Sequence, residues 1–135
     1  MTSSPERMTF LREGSGGRAV HDVGGLEFGP VDRHEHDLAL WEKRTDALLI
    51  LLATSKGVFK IDAMRRVIED YGQQEYDRTT YYEKWIRAIR NLLVEQEVVS
   101  ADEVDRRMIE VANRHRAAGR EVATETIDWS GAGAR

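Results

Sequence analysis

The chain has 135 residues, 41% of them apolar and 33% charged, with 24 Asp and Glu outnumbering 20 Lys and Arg for a net charge of −4. That length and composition fit one soluble domain, and the acidic balance argues against a general affinity for nucleic acid, which needs a basic face to displace phosphate counterions. There is no cysteine, which excludes a disulfide, a thiolate metal site or a cysteine nucleophile within this chain.

The N-terminal segment, with Glu6, Arg7, Arg12 and Glu13 scattered through it, lacks the continuous apolar run of a secretory signal. The longest apolar stretch, Ala47 to Ala53, is far short of the roughly 18 residues that a membrane span requires. A cytoplasmic protein is expected. Both prolines, Pro5 and Pro30, and six of the 11 glycines fall in the first 36 residues, so neither a helical nor a strand period survives there. Residues 1–36 are therefore expected to form an extended arm. Val20, Val23, Leu26, Phe28 and Val31 punctuate it, and apolar residues at such spacing need a surface to pack on, which a small body offers sparingly.

From Asp37 to Ala118 no proline occurs and only Gly57 and Gly72 interrupt, the pattern of helices separated by glycine stops. An all-α body of about four helices over 37–118 is expected. The first runs from about Asp37 to Ser55, with Leu38, Trp41, Leu48, Leu49, Leu51 and Leu52 too broadly spread for one stripe, the mark of a buried central helix. The second covers about Asp62 to Tyr71, where Met64, Val67, Ile68 and Tyr71 recur at spacings of three and four and share a face. The third starts at Thr80-x-x-Glu83 and the fourth at Ser100-x-x-Glu103, two capping boxes in which hydroxyl and carboxylate each satisfy an otherwise unpaired backbone amide. The third presents Tyr82, Trp85 or Ile86, Ile89, Leu92 and Leu93, and the fourth Val104, Met108, Val111 and Ala112. After Gly119 the chain turns polar and ends in a glycine-rich stretch after Trp129, so 119–135 is expected to be a disordered tail.

No nucleophile-base-acid set, phosphate loop or zinc spacing is present, so nothing here resembles a complete active site. His34 and His36 with Asp32 and Asp37 have the residue types of a metal site, but an extended arm gives no reason for them to converge. No metal ligand is assigned. Arg106, Arg107, Arg114 and Arg116 are interleaved with Glu103, Asp105 and Glu110, as on a solvated helix face. The aromatic group Tyr76, Tyr81, Tyr82 and Trp85 is more informative. Tyr81 and Trp85 are four apart and share a face offset from that of Tyr82, Ile86 and Ile89. Periodicity leaves two readings open: all are core or cap residues, or one face is offered to a partner or ligand.

Taken in order, His21-Asp22-Val23-Gly24-Gly25, Phe28-Gly29-Pro30-Val31, Trp41-Glu42, Gly57-Val58-Phe59, Thr80-Tyr81-Tyr82-Glu83-Lys84-Trp85 and Leu92-Leu93-Val94-Glu95 resemble the N-terminal half of nitrile hydratase β subunits. The likeness spans about His21 to Val99. It implies an α subunit that holds cobalt(III) or iron(III) through a cysteine cluster with two sulfurs oxidised to sulfenic and sulfinic acids, a metal for which this chain supplies no ligand. The β helical half would cap that centre and its arm would wrap the α subunit, with His21, Asp22, Gly24, Gly25, Phe28 and Trp41 at the interface. Counting on from Trp41 without gaps places the family's arginine, which donates to the oxidised sulfurs, at Arg65. A guanidinium stays charged and offers planar donors to anionic oxygens, a fork that lysine lacks. Tyr81 matches a pocket tyrosine, Trp85 stands where the family has a second aromatic of the substrate channel, and Tyr76 joins them as a third substrate-side residue.

The sequence departs from that pattern in three respects. It stops where family members continue into a β-barrel, so a separate barrel subunit is expected as a further partner. About 20 residues precede the His-Asp motif, and the arm from His21 to Val31 is slightly shorter than usual. A three-chain organisation resembles thiocyanate hydrolase and related nitrile hydratases. The implied activity is hydration of a nitrile to an amide, in a complex and not by this chain alone. The alternatives are thiocyanate hydrolysis and a non-catalytic nitrile hydratase accessory protein, the latter disfavoured because such proteins generally lack the His-Asp-Val-Gly-Gly arm. A DNA-binding helix-turn-helix would need a turn of three or four residues, whereas Gly72 to Arg78 is longer.

Overall fold

In a computed structural model, residues 12–14 and 16–122 are described. The chain is all-α, with five helices and no strand among the described residues: α1 Leu40–Ile50, α2 Ile61–Glu69, α3 Gln73–Arg78, α4 Tyr81–Glu95 and α5 Ala101–Ala117. Of the tail expected over 119–135, residues 123–135, Trp129 included, lie outside the described residues, as do residues 1–11 of the arm.

Both capping boxes form as the sequence implies. Thr80 accepts from the Glu83 N–H while Glu83 accepts from Thr80, and Ser100 and Glu103 repeat the exchange. Helix α1 starts three residues later than expected. The Glu42 carboxylate accepts from the Ala39 N–H at 2.7 Å, which makes Ala39 the cap and leaves Asp37 and Leu38 outside the helix. The helix then widens into a π-helical turn over Leu51–Ser55, closed by Lys56 N–H to the Leu51 carbonyl at 2.9 Å. Gly57 follows at φ +60°, a left-handed position that costs glycine little.

The core is built on α4, whose Ala88, Ile89 and Leu92 are buried against Met64 and Val67 of α2 and Tyr71 just past its end, with Leu49 and Phe59 completing the cluster. The stripe read along α2 is thus the face that packs. Helix α1 is not the buried centre: only Thr45 and Leu49 are buried on it, and Leu40, Trp41, Ile50 and Leu51 are exposed. Its apolar residues surround the helix because one side meets α4 and the others face outward.

Helix α3 was not evident in the sequence. Its segment Gln73-Gln-Glu-Tyr-Asp-Arg78 has no apolar period, and what holds it is an ion pair. The Nη1 and Nη2 of Arg87, a residue 3% exposed on α4, each lie 3.1 Å from Oε2 of buried Glu75. The same carboxylate receives Arg78 at 2.9 Å. The Arg87 guanidinium also sits 5.2 Å from the Tyr71 ring centre, and the Tyr71 hydroxyl donates to the Lys84 carbonyl at 3.0 Å. Burial pushes the Tyr71 phenol up, so it stays a neutral donor.

Helices α4 and α5 end in the same way. Glu97 N–H bonds to the Val94 carbonyl and Val98 N–H to Leu93; Gly119 N–H bonds to Arg116 and Arg120 N–H to His115. Each closure needs one left-handed residue, supplied by Gly119 in α5 and by Glu97 at φ +57° in α4. Helix α5 carries no buried residue. Its residues Val104, Met108 and Val111, with Val99, line an open groove.

Candidate functional site

The first described part of the arm, at Arg12 and Val20, packs on the body. Val20 is fully buried and Arg12 is only 6% exposed. Arg12 donates through Nη1 and Nη2 to the two Asp77 oxygens at 2.8 and 2.7 Å, and through Nη2 to the Val20 carbonyl. Those bonds hold the Asp77 carboxyl below its ordinary range. Beyond Phe28 every residue as far as Trp41 is exposed. Within that stretch Asp32 gathers both histidines, with His34 Nδ1 and His36 Nε2 each 2.8 Å from its carboxylate. The His34 backbone N–H and then the two rings lower the Asp32 pKa. Asp37 is not part of this group, and among the described residues no three His, Asp or Glu side chains are arranged to hold a metal ion.

The residues singled out along the sequence fall into separate places. Tyr81 and Trp85 meet with ring centres 4.8 Å apart. Tyr82, read as lying on a different face, joins them at 5.2 Å from Tyr81 and 6.3 Å from Trp85. Trp41, 41 positions before Tyr82 and placed by its motif at an interface, packs edge-on against the Tyr82 ring at 6.4 Å. These separations are in the range where aromatic pairs attract beyond simple area burial. Trp85 leans on the core, whereas Tyr81 is 60% and Trp41 44% exposed. The cluster is rooted in the body and open on its outer side. Desolvation of the Tyr82 phenol and then the negative charge of Asp46 raise its pKa, so that hydroxyl is a donor at neutral pH.

Tyr76 stands apart from the cluster. Its ring receives the Lys84 ammonium at 4.4 Å, and burial raises its phenol pKa. Lys84 donates to the Thr79 carbonyl, and desolvation lowers its pKa while Asp77 opposes the shift. Arg65 is exposed on α2, its guanidinium 3.8 Å from a still more open Asp62. A surface pair of that kind contributes little to stability, so Arg65 is not committed to this chain's own fold. His21, Asp22, Gly24, Gly25 and Phe28 are all exposed, on a loop described further below. Sequence reasoning did not find Arg12, Glu75 or Arg87. Their partners lie 65 or 12 residues away, and no local period marks them.

Comparisons with known proteins bear on this arrangement. The model of the family described as nitrile hydratase beta subunit, N-terminal, matches residues 18–128. A nitrile hydratase subunit beta of Pseudomonas putida is 39% identical over 89 residues, covering 63% of this chain and 41% of the relative. A thiocyanate hydrolase subunit beta of Thiobacillus thioparus is 33% identical over 98 residues, covering 72% of this chain and 62% of the relative. Thus the chain spans between two fifths and two thirds of these relatives' lengths. Among solved structures, a chain of recombinant apo thiocyanate hydrolase from Thiobacillus thioparus matches with a TM-score of 0.66 and 30% identity, covering 79% of this chain and 68% of that one. No helix among the described residues is long and apolar enough to cross a membrane. With Trp41, Tyr81, Tyr82, Trp85 and Arg65 all inside the matched span, the chain belongs to the nitrile hydratase beta subunit N-terminal family.

Proposed function

We propose that this chain is the β-type subunit of a multi-subunit nitrile hydratase, a hydro-lyase that adds water to a nitrile to give an amide, and that it is inactive alone. The observation that carries the reading is the aromatic cluster of Trp41, Tyr81, Tyr82 and Trp85. It is anchored on the core yet open, in a chain with no cysteine and, among the described residues, no metal-binding group. This chain's residues do not fit the family's cobalt(III) or iron(III) as ligands, so the metal belongs to the α subunit. The part left to this chain is to cap that centre and form one apolar wall for the substrate. Pockets for small molecules are mostly apolar with a few fixed polar groups, which Tyr81 and Tyr82 supply. Arg65, exposed and only loosely paired, is available to donate to the α subunit's oxidised cysteines. Residues 1–36 act as the arm toward that subunit, 37–118 as the helical body and 119–135 as a tail, with a separate barrel subunit completing the complex in the cytoplasm. His21, Asp22, Gly24, Gly25, Phe28 and Trp41 provide contact residues, and Tyr76 supports the substrate side from behind Lys84.

Co-expression with nitrile hydratase α and barrel subunits, followed by a nitrile hydration assay, tests the proposal. Activity is expected only with all three chains, and Arg65→Lys should lower kcat because the bidentate fork is lost. Undiminished activity of Arg65→Lys would remove the role assigned to Arg65, and dissociation of this chain once the α subunit is metal-loaded would identify an accessory protein instead. A second reading, thiocyanate hydrolysis to carbonyl sulfide and ammonia, is favoured by the larger share of the Thiobacillus thioparus relative that aligns. Supplying the same complex with thiocyanate and with an aromatic nitrile separates the two.

A further inference from the structure

Arg12 and Glu13 lie ahead of the family-matched span, which begins at residue 18, and both bond to α3. Arg12 occupies the junction. Besides its bonds to Asp77 and to the Val20 carbonyl, its backbone N–H bonds to the Arg18 carbonyl at 2.9 Å. Its guanidinium lies 4.9 Å from the Phe28 ring centre. The next residue adds a bond from the Glu13 N–H to Gln73 Oε1 at 2.6 Å. One side chain therefore touches both ends of the segment from Val20 to Phe28 and fastens them to α3.

The loop between those ends is closed on itself. Asp22 N–H bonds to the Ala19 carbonyl at 3.0 Å and Leu26 N–H to Val23 at 3.1 Å. Arg18 donates to the Gly24 carbonyl and lies 3.7 Å from Asp22. Gly25 sits at φ +76°. His21 Nε2 is 3.7 Å from Glu69 at the end of α2. Val20 seals the underside, while His21, Asp22, Gly24, Gly25 and Phe28 face outward. From Gly29 to Ala39 no residue is buried, and the side-chain bonds found there stay within the segment, around Asp32, or reach the adjoining start of α1.

From this geometry we infer that Arg12 is a positioning residue that fixes the His21–Phe28 loop against α3, so that a partner subunit meets a preformed surface rather than a loose chain. The inference rests on the reading of this chain as a β-type subunit only for the identity of that partner. A segment ordered before binding has already surrendered the conformational freedom that a loose arm gives up on docking. The loop is thus the rigid part of the contact and the stretch after Gly29 the adaptable part. Arg12 is suited to this because its planar fork engages Asp77 with two nitrogens and still reaches a carbonyl, an arrangement that an ammonium cannot reproduce.

Amide hydrogen exchange on the full-length chain, paired with binding to a purified nitrile hydratase α subunit, tests the inference. Arg12→Ala should speed exchange of the Val20–Leu26 amides by about tenfold and Asp77→Asn by less, since Arg12 keeps the Val20 carbonyl and the Phe28 ring, and the double variant should match Arg12→Ala because Asp77 acts on the loop through Arg12. Protection of α5 should be unchanged, and Arg12→Lys should recover part of the loop protection. Binding of the α subunit should weaken by about tenfold in Arg12→Ala, the energy of one pre-ordered contact region. Loop exchange that is unaffected by Arg12→Ala, or a loosened loop that still binds the α subunit as the wild type does, would overturn the inference. If the wild-type chain binds no α subunit while loop protection depends on Arg12 and Asp77, the anchor stands and the assignment of the partner fails.

Discussion

Replacing Glu75 by leucine should destabilise the chain far more than replacing its partner Arg87 by methionine. Arg87 is 3% exposed with both terminal nitrogens 3.1 Å from one Glu75 oxygen, so without Glu75 a full positive charge stays buried. Breaking a buried pair in this way costs about 3–5 kcal/mol. In Arg87→Met the charge left behind is the Glu75 carboxylate, which keeps Arg78 at 2.9 Å, and the Arg78 side chain is 56% exposed. That residual pair reaches solvent, and the loss should be about 1–2 kcal/mol. The double replacement removes both charges and should fall within about 1 kcal/mol of the parent. For a domain of this size Glu75→Leu corresponds to a melting shift on the order of 10–20 °C. Urea unfolding followed by circular dichroism at the helical band measures all four proteins. Arg87→Met proving as costly as Glu75→Leu, or a double variant no better than the worse single, would refute the reasoning.

Thr80→Ala removes the cap of α4, where the Thr80 hydroxyl accepts from the Glu83 N–H, and should cost about 1 kcal/mol in urea unfolding. Glu97→Gly relieves a left-handed non-glycine residue at φ +57° and should raise stability by about 0.5–1 kcal/mol, seen as a higher urea midpoint at unchanged slope. The Asp77 carboxyl is held low chiefly by the Arg12 hydrogen bond. A depressed carboxyl pKa stabilises fully above the unfolded value of about 3.9 and loses that contribution as pH falls through the folded value. NMR shifts of the Val20 amide should therefore hold from neutral pH down to about 5 and move toward random-coil positions only below about 4, whereas Asp77→Asn should show the loosened shifts at every pH.

What the sequence disclosed was local chemistry. The capping boxes at Thr80 and Ser100 and the stripe on α2 depend on residues three or four apart, and each appears where the pattern placed it. Helix α3 escaped because its stability comes from Glu75 meeting Arg87 across a turn, a pairing without a periodic trace. The breadth of apolar residues on α1 was misread as burial when much of it is outward-facing surface. The motifs drew attention to Tyr81 and Trp85, which meet in a cluster that also takes in Tyr82 and Trp41, while Tyr76 lies against Lys84. Arg65 was singled out through resemblance alone. Its exposed position beside Asp62 gives the fold no reason to need it, which is why periodicity assigned it nothing.

An experimental structure of the chain in complex with a metal-loaded nitrile hydratase α subunit tests the central claim most directly. The account expects Arg65 Nη atoms within hydrogen-bond distance of oxygens on the α subunit's cysteines, and Tyr81 and Trp85 covered as walls of a pocket above them. Arg65 remaining in solvent beside Asp62, with Tyr81 and Trp41 still open and the α subunit docked elsewhere, would contradict it.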